Sequence, residues 1–327
     1  MYKIIAIGDV ILDTHVKIDD ASVECDLDGH KCKLCLDYAA KIPVTDSFQT
    51  VGGNPANLAF STTKFGLNTA VLSTAGADSN GEIIIESLKK YNVDTKYIFL
   101  DKKAKTRYSI ILNFKGERTI LSYHQKRNYI WPKDFPTTDW VYFTSLSEGF
   151  DSLQEKLFKF LAKHPSVRLA FNPGSFQLKN NLELTRAAMI KSDLLIVNLE
   201  EAERLAGVDY KKLKSIESLI HKLLELGVRE VAITDAARGA WAGNSEGVWH
   251  LDAFPVPIVS KTGAGDAFSA GYLSARIYGH DMPTCLTWGI ANSCSVLGHF
   301  GVQNGLLDKN GLKKMINKFP KIKPIKL

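Results

Sequence analysis

The 327-residue chain lacks an apolar run long enough to cross a membrane, since its longest apolar stretches, residues 4–7 and 194–197, have only the length of a buried strand. A membrane-spanning helix needs about 20 consecutive apolar residues. After Met1 the chain also lacks the long apolar segment and the small-residue cleavage site of a secretory signal. We therefore expect a cytoplasmic protein with no membrane partner.

Several common catalytic motifs are absent. There is no G-x-x-x-x-G-K-[ST] sequence, which excludes a P-loop nucleotide site, and no G-x-G-x-x-G after the first predicted strand, which argues against a dinucleotide site. The zinc-peptidase motif H-E-x-x-H and the serine-hydrolase motif G-x-S-x-G are missing as well. Internal repeats, low-complexity segments and linkers are also missing, so residues 1–327 are predicted to form a single domain.

The excess of positive charge is small. Counts of 41 Lys and Arg against 35 Asp and Glu leave a net charge of +6, and part of it lies in residues 313–326. A basic tail can bind nucleic acid or anionic lipid, yet no basic stripe interleaved with aromatic residues accompanies it. We expect a solvated C-terminal tail and no nucleic-acid partner.

Short apolar segments rich in Val, Ile and Phe alternate with helical patterns along most of the chain. The predicted strands are residues 3–8, 70–73, 140–144, 168–172, 194–198 and 230–234. The predicted helices are residues 55–65, 81–91, 154–164, 182–191, 200–206 and 215–226. Such alternation is typical of βαβ units around a mostly parallel sheet, whose ligands bind beyond the carboxyl ends of the strands.

Two stretches of extended or irregular character interrupt this alternation, residues 14–50 and 106–123. Within the second, residues 107–114 and 117–123 lie on either side of a Lys-Gly pair and predict a hairpin. We predict that the two stretches form a small β-sheet separate from the main one, placed as a lid on the domain.

The most informative segment, residues 260–271, reads SKTGAGDAFSAG and leads from a tight turn of small residues into an amphipathic helix. Such a turn directs backbone N–H groups outward and forms an anion hole with the helix N-terminus. Asp266 lies at this mouth, where a carboxylate can take the proton of a hydroxyl that attacks a phosphoryl group. The alternative is that Asp266 only caps the helix.

Four further turns carry candidate ligand contacts. In residues 51–59, VGGNPANLA, the glycines allow a close backbone approach and Asn57 offers an amide. Residues 8–13, GDVILD, offer two carboxylates that can hold sugar hydroxyls or simply form a turn. Residues 198–201 offer either a capping box or a water-mediated Mg²⁺ site. Residues 234–239 can form a phosphate-facing turn.

Taken together, these segments resemble the ribokinase family of carbohydrate and nucleoside kinases, also called the PfkB family, over nearly the whole chain. The family's amino-terminal signature is matched by Gly52, Gly53, Asn57, Ala59, Gly66 and Gly76. Its carboxy-terminal signature is matched by Gly263, Ala264, Gly265, Asp266, Ala270 and Gly271, and its N-x-x-E motif by Asn198 and Glu201. The resemblance implies an α/β fold, a three-layer α/β/α sandwich with a mostly parallel central sheet and a small β-sheet lid.

The same resemblance implies ATP-dependent transfer of the γ-phosphoryl group to a hydroxymethyl group, with Asp266 as the general base. The N–H groups that would stabilise the transferring group belong to Gly263, Ala264 and Gly265. The acceptor's hydroxyls would be held by Asp13, Gly52, Gly53 and Asn57. The residues implied for Mg²⁺ and ATP are Asn198, Glu201, Thr234, Gly239 and Asn292. Relatives often dimerise through the lid, so a homodimer of this kind is a further expectation.

The chain departs from the family pattern in three places. Ser260 and Lys261 stand where relatives usually have Asp-Thr, in a region that helps bind a monovalent cation. We expect the Lys261 ammonium to replace that cation or to lie on the ATP phosphates, which argues against a monovalent-cation requirement. Ala236 stands where relatives often have Gly, so its β-carbon is expected to crowd the phosphate turn. Ile11 replaces a polar residue of sugar-specific relatives and weakens a ribose assignment.

Four zinc-type ligands lie within eleven residues: Cys25, His30, Cys32 and Cys35. They predict a structural Zn²⁺ in the lid, with free thiols or a redox pair as the alternatives. Because no secretory signal is present, a disulfide framework is not expected. The other two cysteines, Cys285 and Cys294, lie in an apolar helical stretch and are predicted to be core residues.

The acceptor is left open between three classes, of which a sugar or sugar-like molecule leads. A nucleoside would need an apolar pocket for its base, built from lid residues such as Phe48, Tyr108 or Tyr123. A sugar phosphate would need a second phosphate site, for which the candidates are Arg107, Lys126 and Arg127. Outside the enzymes, the alternative is a catalytically idle binding protein on the same fold, and an intact Asp266 with its glycine turn argues against it.

Overall fold

The computed structural model describes residues 1–26, 32–123, 125–213, 215–299 and 301–327. Its strands are β1 (Tyr2–Ile7), β2 (Ile11–Ile18), β3 (Ser22–Cys25), β4 (Cys32–Cys35), β5 (Val44–Gly52), β6 (Thr69–Gly76), β7 (Ile98–Asp101), β8 (Tyr108–Phe114), β9 (Glu117–Tyr123), β10 (Thr138–Phe143), β11 (Arg168–Phe171), β12 (Leu194–Asn198), β13 (Val231–Thr234), β14 (Ala240–Asn244), β15 (Gly247–Leu251) and β16 (Ile325–Lys326). Its helices are α1 (Asn54–Lys64), α2 (Ser79–Lys90), α3 (Phe150–Lys163), α4 (Ser175–Asn180), α5 (Leu182–Lys191), α6 (Leu199–Ala206), α7 (Tyr210–Leu213), α8 (Ile216–Glu225), α9 (Ala264–Ile277), α10 (Met282–Leu297) and α11 (Lys309–Lys318).

Ten strands form the central sheet in the order β16-β15-β14-β13-β12-β11-β10-β1-β6-β7. From β13 to β7 neighbouring strands run parallel, as the alternation predicts, whereas β14, β15 and β16 add an antiparallel edge. Ile5 of β1 lies opposite Val141 of β10 on one side and Ala70 of β6 on the other. A parallel strand that is flanked on both sides and covered on both faces is apolar throughout, which explains the unbroken apolar run of residues 4–7.

Helices cover both faces of the central sheet. Because successive strand side chains point to opposite faces, Ile4 and Ala6 pack into one core cluster with α1, α9 and α10, whereas Ile5 and Ile7 pack into another with α3, α5, α6 and α8. All four side chains are fully buried. This arrangement confirms the predicted three-layer α/β/α sandwich. None of the helices in the described ranges has the length and apolar character needed to span a bilayer.

A second sheet of four strands, in the order β5-β2-β8-β9, is separate from the central sheet and is called the lid sheet below. The predicted hairpin is confirmed, since β8 and β9 pair antiparallel with Phe114 opposite Glu117. The turn residues Lys115 and Gly116 have φ values of 49 and 82, which suit a two-residue turn of type I′. Strand β2 runs parallel to β8, so the chain returns to the central sheet between these two strands.

The zinc prediction is wrong, because two of the four expected ligands, Cys25 and Cys32, are joined by a disulfide. They lie directly opposite each other in the antiparallel hairpin β3–β4, where paired side chains are close enough to bond. Cys35 has a free, half-buried thiol, and His30 lies outside the described residues. The residues that the structure describes contain no cluster of three His, Cys, Asp or Glu side chains suited to a metal. The expectation that disulfides are absent is wrong as well.

The remaining two cysteines agree with the prediction from the sequence. Cys285 and Cys294 lie on α10 and are buried in the core cluster that also contains α9. Burial raises the pKa of the Cys285 thiol to about 12 and that of the Cys294 thiol to about 11. Both side chains therefore act as small apolar residues at neutral pH.

Candidate active site

Helix α9 begins within the segment 260–271, and its first turn carries Asp266. Gly263 precedes the helix with a φ of 75, a left-handed conformation that glycine adopts without strain. The first bond of the helix runs from the N–H of Ala267 to the carbonyl of Gly263 at 2.9 Å. The N–H groups of Ala264 and Gly265 are therefore left at the free end of the helix. The turn has the geometry of an anion hole beside a carboxylate.

Asn57 links this carboxylate to helix α1. Its Nδ2 donates to Oδ2 of Asp266 at 2.8 Å, and helix α1 packs against α9. Burial raises the pKa of Asp266 to about 6, and the hydrogen bond from Asn57 opposes this rise. The Oδ1 atom of Asn57 is buried and has no hydrogen-bond partner within the described ranges. A buried acceptor without a partner is costly unless a ligand supplies the donor, so this atom is suited to a ligand hydroxyl.

Asp13 lies on β2, where its register partners are Thr50 of β5 on one side and Ser109 of β8 on the other. Burial raises the pKa of Asp13 to about 6, although a hydrogen bond from Ser109 and the charge of Arg118 lower it. A β-carbon at Gly52 would lie 2.1 Å from Oδ2 of Asp13. Glycine is therefore required at position 52 to let this carboxylate rest against the backbone.

Asn198 and Glu201 form the capping box that the sequence offered as one of two interpretations. Oδ1 of Asn198 accepts from the N–H of Glu201 at 2.9 Å, and Oε2 of Glu201 accepts from the N–H of Asn198 at 3.0 Å. Burial raises the pKa of Glu201 to about 7, and the charge of Asp266 adds to this rise. Glu201 thus lies within electrostatic reach of Asp266, and two acids of this kind attract a divalent cation.

A cavity of about 470 Å³ lies between the turn that follows β13 and helices α9 and α10. Its lining includes the predicted residues Thr234, Gly239 and Lys261 together with Ala264 and Gly265 of the anion hole. The apolar part of the lining includes Phe254, Val256, Ile258, Phe268, Ile290 and Leu297. A helix N-terminus beside an apolar wall suits a nucleotide, whose phosphates and base need these two surfaces.

Two residues that the family resemblance places near the nucleotide, Ala236 and Asn292, have unexpected surroundings or backbone conformation. Ala236, which lines this cavity, has a φ of 44, a conformation that favours glycine. Asn292 is fully buried and does not line the cavity. Its Nδ2 donates to Ser61 and to the carbonyl of Ala267 at 2.9 and 2.7 Å, and its Oδ1 accepts from the N–H of Leu307 at 3.2 Å. Asn292 is therefore held by internal hydrogen bonds, and its expected place near the adenine stays a prediction.

The lid sheet touches the loop that precedes α9. Nζ of Lys261 lies 3.4 Å from a carboxylate oxygen of Glu117, and Arg118 donates to the hydroxyl of Thr262. Lys261 is exposed and also lines the cavity of about 470 Å³ described above, which is called the nucleotide-shaped cavity below. Its role in place of a monovalent cation stays a prediction. A many-fold rise in activity with K⁺ over a non-binding cation at equal ionic strength would contradict it.

The aromatic residues considered for a nucleoside base do not share one face of the lid sheet. Phe48 lies on the same face as Asp13, because its partner on β2 is two residues away from that aspartate. Tyr108 lies opposite Leu12 and so belongs to the other face, where its ring stacks on Tyr123 at 5.1 Å. The three side chains therefore do not line a single pocket.

The arginines considered for a second phosphate have partners inside the protein. Arg107 and Arg127 are each 2% exposed. Arg107 donates to the carboxylate of Asp9, and Arg127 donates to the carbonyl of Lys105. Lys126 is exposed and pairs with Glu148 at 3.3 Å. The Asp9–Arg107 pair was not predicted from the sequence. Its available signal was an acid directly after the first strand and a base at the start of the predicted hairpin.

Comparisons with known proteins agree with this geometry. A family model described as pfkB family carbohydrate kinase matches residues 13–310. An ATP-dependent 6-phosphofructokinase of Thermoanaerobacterium thermosaccharolyticum is 25% identical over 294 residues, which cover 86% of this chain and 89% of that protein. A nucleoside kinase of Methanothermobacter thermautotrophicus is 27% identical over 262 residues, which cover 79% of this chain and 81% of that protein. These relatives differ in their acceptors.

Solved structures share the fold. The ribokinase of Arabidopsis thaliana complexed with ribose and ATP matches with a TM-score of 0.79 at 19% identity, covering 96% of this chain and 98% of that chain. A nucleoside kinase of Methanocaldococcus jannaschii matches with a TM-score of 0.76 at 20% identity, covering 97% of this chain and 99% of that chain. These likenesses confirm the three-layer architecture with its small second sheet.

Proposed function

The chain belongs to the pfkB family of carbohydrate kinases, and from this premise we propose that it transfers the γ-phosphoryl group of ATP to a hydroxymethyl group of a sugar or sugar-like acceptor. The observation that carries the proposal is the position of Asp266. This half-buried acid lies in the first turn of α9, next to two glycine-turn residues that line the nucleotide-shaped cavity, and it is hydrogen-bonded to Asn57 of α1.

In the proposed reaction the hydroxyl oxygen of the acceptor attacks the γ-phosphorus, and its proton passes to Asp266. A new O–P bond forms, the bond from the γ-phosphorus to the β–γ bridging oxygen breaks, and ADP leaves. Because burial raises the pKa of Asp266 only to about 6, the carboxylate is ionised at pH 7 and its pKa lies near the working pH, where a general base is effective. The N–H groups of Gly263, Ala264 and Gly265 stabilise the charge on the transferring group.

The proposal assigns Asn198 and Glu201 to Mg²⁺, which they would bind through water molecules. The negative charge of Asp266 raises the pKa of Glu201, so a cation between the two carboxylates would be favourable. Neither carboxylate is in an ion pair among the residues that the structure describes. When bound, Mg²⁺ neutralises charge on the ATP phosphates. In this proposal Thr234 and Gly239 line the nucleotide. The use of ATP agrees with the expected cytoplasmic location of the protein.

On the acceptor side, the proposal assigns Asp13 and Asn57 to the hydroxyls of the sugar. Gly52 and Gly53 support them by leaving room for the backbone to approach, as the 2.1 Å distance from a β-carbon at Gly52 to the Asp13 carboxylate illustrates. The unpartnered Oδ1 of Asn57 provides an acceptor for one hydroxyl. A nucleoside remains the alternative acceptor class within the same reaction.

A phosphorylated or acidic sugar is the second candidate acceptor, favoured by a cationic cavity. A space of about 310 Å³ opens between the tip of hairpin β8–β9 and residues 259–261. Four positive side chains line it: Lys17, Lys115, Arg118 and Lys261. Among the residues that the structure describes, Glu117 is the only acid in its lining. Such a surplus of positive charge suits an anionic group on the acceptor.

The test is ATP consumption by the purified protein with Mg²⁺ against separate panels of sugars, sugar phosphates, sugar acids and nucleosides, with Asp266→Asn in parallel. We expect turnover on one acceptor class and its loss in the variant. The panel that responds names the acceptor class. ATP binding by calorimetry without turnover on any panel would instead support the idle binding protein.

We also propose a homodimer through the lid sheet. Strand β9 is an edge of that sheet, and its Ile120 and Leu121 are 46% and 52% exposed. An exposed apolar edge strand invites pairing with a second chain. Sedimentation of the purified protein should give the mass of a dimer, and Leu121→Lys should shift it toward the monomer. A monomer at all concentrations would contradict this proposal.

A further inference from the structure

Four chain segments join the lid sheet to the central sheet, and all four meet at Asp9. The first, residues 8–10, contains Asp9 itself and leads from β1 to β2. The second is Gly53, between β5 and α1, where a β-carbon would lie 2.2 Å from the carbonyl oxygen of Asp9. The third ends at Arg107 before β8, and the fourth contains Tyr129 after β9. Both of these side chains bond the Asp9 carboxylate.

The bonds form a buried network within the protein. Arg107 donates from Nη1 to Oδ2 of Asp9 and from Nη2 to the hydroxyl of Ser147. The Tyr129 hydroxyl donates to the Asp9 carboxylate, with distances of 3.0 and 2.9 Å to its two oxygens, and accepts from the N–H of Ser147 at 3.0 Å. Asp9 and Arg107 are each 2% exposed and Tyr129 is 4% exposed. Water is therefore not available to replace a lost partner, and the network holds as a unit.

The network fixes the strands that carry the acceptor side of the site. The carbonyl of Arg107 accepts from the N–H of Leu12 at 3.0 Å, next to Asp13 on β2. Arg107 also directly precedes β8, whose hairpin partner β9 carries Arg118. At the far end of the lid sheet, Arg118 contacts Thr262 with exposed atoms only. The buried anchor of the lid sheet is thus at Asp9, whereas its contacts with Lys261 and Thr262, near Asp266, are exposed.

We propose that Asp9, Arg107 and Tyr129 form a hinge that holds the lid sheet in position over Asp266, so that ATP phosphorylates the acceptor and not water. The three are positioning residues, since none is assigned a contact with the acceptor or the nucleotide. This inference rests on the proposed function, because a kinase must exclude water from an activated phosphoryl group.

The chain contains a matched control with the same chemistry in another place. The hydroxyl of Tyr272 donates to Oε1 of Glu230 at 2.7 Å, and Arg276 donates to the same carboxylate. Glu230 directly precedes β13 and so lies at the amino end of the parallel strands, away from the carboxyl ends where Asp266 lies. Tyr129→Phe and Tyr272→Phe therefore each remove one hydroxyl from a Tyr–carboxylate–Arg cluster, but only the first touches the hinge.

The test compares these two variants with the unaltered protein by two measurements. The first is the ratio of ADP formed to acceptor phosphorylated, on the acceptor identified above. We expect a ratio near one for the unaltered protein and for Tyr272→Phe, and a several-fold higher ratio for Tyr129→Phe. The second is amide hydrogen exchange, which should become several-fold faster in β8 and β9 in Tyr129→Phe and stay unchanged there in Tyr272→Phe.

The outcomes separate the hinge from the proposed function. If the unaltered protein phosphorylates no acceptor, the proposed function fails, and hydrogen exchange still decides whether the hinge holds the lid sheet. Equal exchange in the two variants would overturn the hinge. Faster exchange with an unchanged ADP ratio would also overturn the proposal, because the cluster would then be structural only. If Tyr129→Phe does not fold, Arg107→Lys, which keeps the charge, is measured in its place.

Discussion

Two acids at the carboxyl ends of the parallel strands, Asp266 and Glu201, differ from two acids at the amino ends, Asp193 and Glu230. At the amino ends, Asp193 pairs with Arg229 at 2.6 Å, and Glu230 pairs with Arg276. At the carboxyl ends, burial raises the pKa of Asp266 to about 6 and that of Glu201 to about 7, and no cation among the described residues pairs with either.

This difference shows which end of the sheet is built for a ligand. A partly buried acid without a cation lowers the stability of the folded state, and a cation that pairs with the acid offsets part of this cost. Such acids are kept where a substrate or metal ion supplies the missing charge or where the acid must exchange a proton. The unpaired acids Asp266 and Glu201 therefore agree with the proposed site at the carboxyl ends, where Asp9, by contrast, is paired with Arg107.

The largest expected effect breaks the comparison by removing one acid from each end. Asp266→Asn should lower kcat by at least about 100-fold, because the general base is lost. Asp193→Asn should leave kcat within about twofold, since its partners are structural. Steady-state kinetics with saturating ATP and Mg²⁺ measure both. Comparable losses in the two variants would show that stability, and not the base, limits activity.

The pH dependence should follow the same acid. Asp266 has a pKa of about 6, so below about pH 6 it is protonated and cannot accept the proton of the hydroxyl. We therefore expect kcat/KM to fall about tenfold per pH unit below pH 6. The rate is measured from pH 8 to pH 5 at constant ionic strength, with far-UV circular dichroism as the control for folding. A flat profile between pH 7 and pH 5 in a folded protein would remove Asp266 as the base.

Stability should change in opposite directions at the two ends. The folded-state pKa of Asp266 lies above its unfolded value near 3.9, so the folded protein binds more protons between about pH 4 and pH 6. The contribution of this group to stability therefore falls as pH rises through that window. At pH 7 Asp266→Asn should unfold with a free energy higher by about 1–2 kcal/mol, whereas Asp193→Asn should lose up to about 1 kcal/mol.

Urea denaturation at two pH values measures this prediction. The gain of Asp266→Asn should be present at pH 7 and fall to a small fraction of that value near pH 4, where the natural acid is protonated in the folded state and about half protonated in the unfolded state. A gain that is the same at both pH values would assign the effect to packing and not to the unpaired charge.

The central sheet was largely predictable because its signals are local. Residues 4–7 form an apolar run that only a buried parallel strand explains, and Asn198 with Glu201 carries its own capping pattern within one turn of helix. The turn at Gly263 was predictable for the same reason, since glycines before a helix demand a special backbone.

The contacts that the sequence did not predict belong to groups whose partners are distant in sequence or whose local chemistry allows two outcomes. Arg107 bonds an acid 98 residues away, and no local pattern reveals that contact. Asn292 is a polar residue on an apolar helix, which can face a ligand or bond internally, and here it bonds internally. Cys25 and Cys32 are suited to zinc by spacing, but the hairpin register places them opposite each other and favours a disulfide.

A smaller effect is expected at the turn after β13. Ala236 has a φ of 44, and Ala39 has a φ of 61. Ala39 serves as the control, because it is exposed and distant in sequence from the candidate residues of the nucleotide side. Changing either to glycine relieves the strain and should leave stability equal or higher by up to about 1 kcal/mol. Only Ala236→Gly should also lower KM for ATP, by a few-fold, since Ala236 lines the 470 Å³ cavity proposed for the nucleotide. Equal KM values in the two variants would show that the turn does not contact the nucleotide.

The smallest effect is expected from the disulfide, which belongs to neither end of the parallel strands. Cys25 and Cys32 are exposed and join only β3 to β4, a two-stranded sheet apart from the other two sheets. A segment of this kind opens locally without the cooperative unfolding of the core. The double variant Cys25→Ser/Cys32→Ser should therefore keep Tm within about 2 °C and kcat within about twofold, as measured by calorimetry and steady-state kinetics beside the unaltered protein. A fall of many degrees, or a loss of turnover, would mean that this hairpin is coupled to the lid sheet, and the division between structural and chemical regions would then have to include it.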